Sequence, residues 1–214
     1  MDDDEARSRV LETADELFYQ RGITAVGMAE VRDGSEVSLA RLYKLYPSKH
    51  HLAAAYLQAH GKQLRARLAE AVERAAPASE GSRARLLAAF DDLRGTIEAP
   101  GFRGCAFVNA WAELGGNGRD SHPLVTEAVQ EHKTLFRDYL VGLAEDYADP
   151  RAIGERMHVL MEGAMVTSAL LGADAADQAR IAASAVLDAA ETGAGAGAEP
   201  GPRSGAGADA AQKA

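Results

Sequence analysis

Through most of this chain, apolar residues recur three and four positions apart, a spacing that gathers them on one stripe of a helix and scatters them over both faces of a strand. Val10, Leu11, Ala14, Leu17 and Phe18 form one such stripe, and Val125, Ala128, Val129, Leu135, Phe136, Tyr139, Leu140 and Leu143 form a longer one. Alanine, leucine, glutamate and arginine dominate the composition while β-branched residues are sparse, which is the balance helices favour. The chain is therefore expected to be all-α.

Glycine, proline and capping residues divide the pattern. A first helix is expected over about 4–21, stopped by Gly22. Two short segments follow at about 27–34 and 38–46, the second opened by Ser38 and closed by Pro47. Helices this short cannot bury a core alone and must pack on the first. A long helix over about 48–75 then leaves this small unit and enters the next, with Ser48 as its N-cap. Further helices are expected up to Glu98, over 105–114, 123–147, 150–171 and 174–191, with Pro150 at the first position of the penultimate one. This implies a small domain at 1–47, a larger helical bundle at 48–192 and a Gly/Ala-rich tail at 193–214 whose composition cannot offset its ordering entropy.

Several function classes drop out. The single cysteine, Cys105, permits neither an internal disulfide nor a cysteine zinc cluster, and reads as a small buried apolar residue. The six histidines lack a metal-ligand spacing. A Gly-rich phosphate loop, a nucleophile elbow and a catalytic carboxylate pair are all missing, so neither an enzyme nor a cofactor is expected. No stretch reaches the roughly 20 apolar residues that span a bilayer, and the acidic start MDDDEAR is unlike a signal peptide, so a cytoplasmic protein without a membrane partner is expected.

The net charge of -9 argues against a nucleic-acid partner only at first sight, because screening limits the reach of a charge to about 8 Å. Residues 1–60 hold ten acids against seven Lys and Arg, yet between Val37 and Ala59 there are Arg41, Lys44 and Lys49 and no acid. A duplex would have to sit on that stretch.

Residues 9–52, RVLETADELFYQRGITAVGMAEVRDGSEVSLARLYKLYPSKHHL, resemble the TetR family of one-component regulators, with Tyr43, Pro47, Ser48, Lys49 and Leu52 on the family's strongest positions. The resemblance implies an N-terminal three-helix helix-turn-helix domain that binds a double-stranded DNA operator, a larger C-terminal bundle, and a homodimer through the last two helices. In such a motif the second helix enters the major groove by its N-terminal end while flanking groups hold phosphates. That makes Ser38, Leu39, Arg41, Leu42, Tyr43, Lys44, Tyr46 and Lys49 the candidate DNA contacts: Arg41 for a guanine, and Tyr43, Tyr46 and Lys49 for phosphate, Lys49 standing at a helix start that attracts anions. Two positions depart from the family pattern. Glu36 stands where the turn usually has glycine, and Gly27 where a hydroxyl usually opens the preceding helix. A left-handed backbone at Glu36 costs roughly 1 kcal/mol relative to glycine, which leaves Gly34 as the alternative place for the bend.

The second region resembles the family's regulatory domain, and within it a subgroup with GCAFVNAWAELG, then His-Pro, then a His-Lys pair. A ligand site of apolar walls with few polar groups is expected between its helices. Its candidates are Phe107, Asn109, Trp111 and Glu113; His132, Phe136 and Tyr139; and Met161, Glu162 and Met165. The expectation is a repressor released from a palindromic operator by a small apolar or amphipathic molecule. The alternative, motivated by the acidic balance with Gly27 and Glu36, is a helical dimer that has lost DNA recognition and acts through a protein partner.

Overall fold

The computed structural model describes residues 1–115 and 121–196. Among them are nine α-helices: α1 (Asp3–Arg21), α2 (Met28–Ser35), α3 (Leu39–Leu45), α4 (Lys49–Ala75), α5 (Gly81–Glu98), α6 (Ala106–Leu114), α7 (Pro123–Leu143), α8 (Pro150–Leu171) and α9 (Asp174–Ala196). A short 3-10 turn at Ala78–Glu80 joins α4 to α5, and the described residues contain no strand. Among the described residues, no helix is long and apolar enough to cross a membrane.

Local chemistry sets the starts. The side chains of Asp2, Ser38, Ser48 and Asp149 each accept a backbone N–H three residues on, satisfying donors that the first helical turn leaves free. Two ends differ from expectation. α7 stops at Leu143 rather than near 147 because the following turn is held elsewhere: the Asp146 carboxylate accepts the Ser82 N–H at 2.7 Å, and the Asp146 N–H donates to Ser82 Oγ at 3.0 Å. α9 continues to Ala196, past the expected stop at 191. Of the expected tail, residues 197–214 lie outside the described residues, as do 116–118 of the glycine run after α6.

The bend between α2 and α3 falls on Glu36 itself, which adopts the left-handed conformation at φ 56° and ψ 27°. Gly34 is helical and serves a different end. A Cβ there would lie 2.6 Å from Thr13 Cγ2, so glycine lets α2 lie against α1 without displacing the Thr13 side chain.

Two buried clusters make the core. The first joins α1, α2 and α3 to the opening turns of α4, to α6 and to the start of α7, through residues such as Val10, Phe18, Val31, Leu42, Leu52, Tyr56, Phe107 and Val125. The second joins the far end of α4 to α5, α8, α9 and the rest of α7, through Leu68, Phe90, Leu140, Met157 and Leu187. α4 belongs to both.

Candidate nucleic-acid interface and ligand cavity

α3 is amphipathic within seven residues. Leu42 and Leu45 point into the first cluster, while Ser38, Leu39, Ala40, Tyr43 and Lys44 face outward. Leu39 and Tyr43 are 40% and 45% exposed, an apolar and an aromatic side chain left uncovered on the same short helix. Ser38 Oγ accepts the Arg41 N–H at 3.2 Å, fixing the first turn. This outward face suits groove contact, with the apolar group available to a thymine methyl.

Other candidates are placed differently. Leu42 is fully buried and Tyr46 is 5% exposed under the Arg7 guanidinium, so packing removes both from a groove-facing set. Burial also raises the Tyr46 hydroxyl above its usual pKa, with Arg7 opposing. Lys49 Nζ donates to the carbonyls of Thr24 and Val26, each at 2.9 Å, and so braces the loop before α2. Arg41 donates through Nε and Nη2 to Asp3 Oδ1 at 3.2 and 2.7 Å and through Nη1 to the Met1 carbonyl at 2.8 Å. Gly27 has no side chain to cap α2, but the Glu30 carboxylate accepts its N–H at 3.0 Å and pairs with Arg21 at 2.5 Å.

In the second region, an apolar cavity of about 60 Å³ lies between α4, α5, α7 and α8. Leu64, Leu68, Leu93, Phe136, Met161 and Met165 form its apolar wall, and His132, Lys133 and Glu162 are among its polar members. An adjoining cleft of about 290 Å³ shares Leu64, Arg67, Thr96, Cys105 and Met165 with it and adds Phe102 and Phe107. The cavity alone is smaller than ligand sites of roughly 300–1,000 Å³; cavity and cleft together reach that range.

The polar groups here are tightly engaged. Lys133 Nζ lies 2.6 Å from both Glu162 carboxylate oxygens and donates to Cys105 Sγ at 3.3 Å. Burial alone would raise the Glu162 carboxyl, but His158 and Lys133 outweigh it and hold the pKa down to about 2. His132 stacks on Phe107 with ring centres 3.5 Å apart and planes 1° from parallel, and its Nδ1 sits 3.0 Å from Arg65 Nη1. Burial, then the charges of Lys133 and Arg65, lower its pKa to about 3, so the ring is neutral.

Of the ligand candidates, His132, Phe136, Met161, Glu162 and Met165 come together around the cavity, and Phe107 lines the adjoining cleft. The others do not join them. Asn109 is exposed and donates to the Arg103 carbonyl at 3.1 Å. Trp111 is 39% exposed and lies against Gly115 at the end of α6. Tyr139 packs on the second core cluster. Glu113 is spent on the loop after α1, where its carboxylate accepts the N–H groups of Ile23 and Thr24 at 3.1 and 2.6 Å and the Thr24 hydroxyl at 2.7 Å. Sequence reasoning missed Lys133, Arg67 and Thr96. Only Lys133 carried a signal, a charge beside His132 within the strongest apolar stripe.

A family model described as bacterial regulatory proteins of the tetR family matches residues 10–56. The HTH-type transcriptional activator FasR of Mycolicibacterium smegmatis is 36% identical over 88 residues, which span 41% of this chain and 40% of that protein. An uncharacterized HTH-type transcriptional regulator of Mycobacterium tuberculosis is 32% identical over 72 residues, 32% of this chain and 36% of its own length. The match thus covers less than half of these curated relatives. Across nearly the whole fold, a TetR-family transcriptional regulator from Streptomyces coelicolor is 31% identical with a TM-score of 0.74, over 87% of this chain and 96% of that one. A TetR transcriptional regulator from Chloroflexus aurantiacus shares the fold at a TM-score of 0.70 and 20% identity, over 87% of this chain and 96% of its own. The outward face of α3, the cavity between α4, α5, α7 and α8, and the 31% identity over the length of the Streptomyces protein lead to one conclusion: this chain belongs to the TetR family of bacterial regulatory proteins.

Proposed function

We propose that the protein is a homodimeric, ligand-responsive DNA-binding regulator, a repressor released from a palindromic operator by a small apolar or amphipathic molecule. The observation that carries this reading is the double membership of α4. Its first turns are buried with α3 in the first cluster through Leu52, Tyr56 and Leu57, while Leu64, Arg67 and Leu68 farther along the same helix line the cavity. A ligand that enlarges the cavity must push on α4, and a helix moves as a rigid element, so the base of α3 moves with it. In this reading Leu39 and Tyr43 meet base edges in the groove, Arg41 and Lys44 meet the phosphate backbone beside it, and His132, Lys133, Phe136, Met161, Glu162 and Met165 meet the ligand.

The dimer follows from apolar surface. On α8, Val159, Val166 and Leu170 fall on one stripe and are 69%, 43% and 77% exposed, and Leu171 at the end of α8 and Ile181 on α9 are exposed as well. Pairing α8 and α9 with their copies covers this stripe and sets two α3 helices about 34–36 Å apart on one side of a duplex.

Selection of bound fragments from the host genome, followed by footprinting, tests the reading. A protected near-palindrome, weakened by roughly 1–3 kcal/mol in Tyr43→Ala and less in Lys44→Ala, supports it. Sequence-blind binding indifferent to both substitutions refutes it and turns attention to a helical dimer acting through a protein partner.

A further inference from the structure

The cations of α3 are occupied. Asp3, in the first turn of α1, takes the Nε and Nη2 hydrogens of Arg41 on Oδ1 at 3.2 and 2.7 Å, and the Lys44 ammonium on Oδ2 at 3.2 Å. The Met1 carbonyl takes a third Arg41 hydrogen at 2.8 Å. One carboxylate therefore engages both lysine and arginine of the outward helix with the two-oxygen geometry a phosphate would offer. Asp2 is committed to capping α1, and Asp4 forms no ion pair among the described residues, so Asp3 alone makes this contact.

We propose that Asp3 is an intramolecular phosphate surrogate that a DNA backbone must displace before Arg41 and Lys44 can engage it. The proposal rests on the reading of α3 as the DNA-contacting helix. Its chemistry is competitive anion exchange. In the free chain the three charges form a cluster of net +1. When a phosphate takes the cations, the Asp3 carboxylate is left bare beside the duplex and recruits a cation from solution, cancelling about one of the counterions that binding releases. Asp3 thereby lowers affinity for duplexes of any sequence and flattens the dependence on salt, leaving base contacts a larger share of the total.

The test is to titrate the full-length protein and its Asp3→Asn and Asp4→Asn variants with a random-sequence duplex across a salt series. Both variants remove one acid from the same helical turn, but only the first removes the contact. Asp3→Asn is expected to tighten binding roughly three- to tenfold beyond Asp4→Asn, as removal of two exposed ion pairs implies, and to steepen the log–log salt slope by about one. Equal effects of the two variants would reduce Asp3 to bulk charge and overturn the proposal. Weaker binding by Asp3→Asn would overturn it too, making Asp3 a brace for Arg41. If neither the unaltered protein nor Asp3→Asn binds any duplex, the assignment of α3 as a DNA-contacting helix falls first and the surrogate with it.

Discussion

Lys49 and Glu113 grip the backbone of Thr24 from opposite sides. The ammonium donates to the Thr24 carbonyl at 2.9 Å, and the carboxylate accepts the Thr24 N–H at 2.6 Å. One side chain comes from the start of α4 and the other from α6, so the loop that positions α2 is held by two elements of the larger bundle. Glycine at 22 is required for the same contact: its φ is +87°, and a Cβ there would lie 2.9 Å from Glu113 Oε1.

Removing either grip leaves loop backbone unpaired. Glu113→Ala and Lys49→Met are each expected to lower unfolding free energy by about 1–2 kcal/mol, and the double variant by less than the sum, because each prepares the loop for the other. Urea denaturation of the four proteins measures the coupling; strict additivity would mean that the two grips act independently.

Glu36 carries the strain of the turn. Glu36→Gly is expected to raise stability by about 1 kcal/mol, since glycine adopts this conformation without a Cβ clash. The substitution also removes the 3.3 Å ion pair between Glu36 and Arg9, but both groups are exposed, so this offsets little of the gain. A thermal midpoint equal to or below that of the parent would contradict the assignment of strain.

Close approach of α7 and α8 depends on Gly154. A Cβ there would stand 2.5 Å from Val141 Cα, a backbone atom that cannot step aside. Gly154→Ala is expected to cost about 1–3 kcal/mol or more. At Gly95, where nothing lies within 4 Å, the same change is expected to stabilise α5 by roughly 0.5–1 kcal/mol. Chemical denaturation of the pair separates crowding from helix propensity.

His132 makes stability depend on pH. Its folded pKa, lowered to about 3 by burial and by Lys133 and Arg65, lies below the usual 6.5, so below pH 6.5 the unfolded chain binds a proton that the folded chain refuses. The contribution is intact above pH 6.5 and declines progressively as pH falls toward 3. His132→Gln is expected to flatten the decline of the urea midpoint between pH 6.5 and 5, a window above the range in which Glu162, held at about 2, begins to matter. An unchanged profile would show that His132 becomes charged without opening the fold.

The exposed stripe on α8 makes the oligomeric state testable. Val166→Glu with Leu170→Glu is expected to convert a dimer to a folded monomer in sedimentation equilibrium, with helical content retained. A variant that stays dimeric would place the interface on another face.

The helices were legible because their causes are local. Ser38, Ser48 and Asp149 cap within three residues of themselves, and the three-and-four spacing marks Val10 and Leu52 as inward whatever they pack against. Spacing alone, however, did not separate Leu42 and Tyr46 from the outward face of α3, because a two-turn helix touching two neighbours buries more than one stripe. In the ligand region the sequence supplied His132, Phe136, Met161, Glu162 and Met165 but could not say that Glu113 turns toward Thr24 instead.

What the sequence determined by itself is the all-α architecture, the order and approximate length of its helices, and the resemblance of residues 9–52 to a helix-turn-helix, all readable over a few residues at a time. What only the tertiary structure decided are the partners of charges: Asp3 on Arg41, 38 residues away, and Glu113 on Thr24, 89 residues away. Coulombic and hydrogen-bond partners depend on separation in space, and the packing of α1, α4 and α6 sets that separation without leaving a periodic trace in the chain.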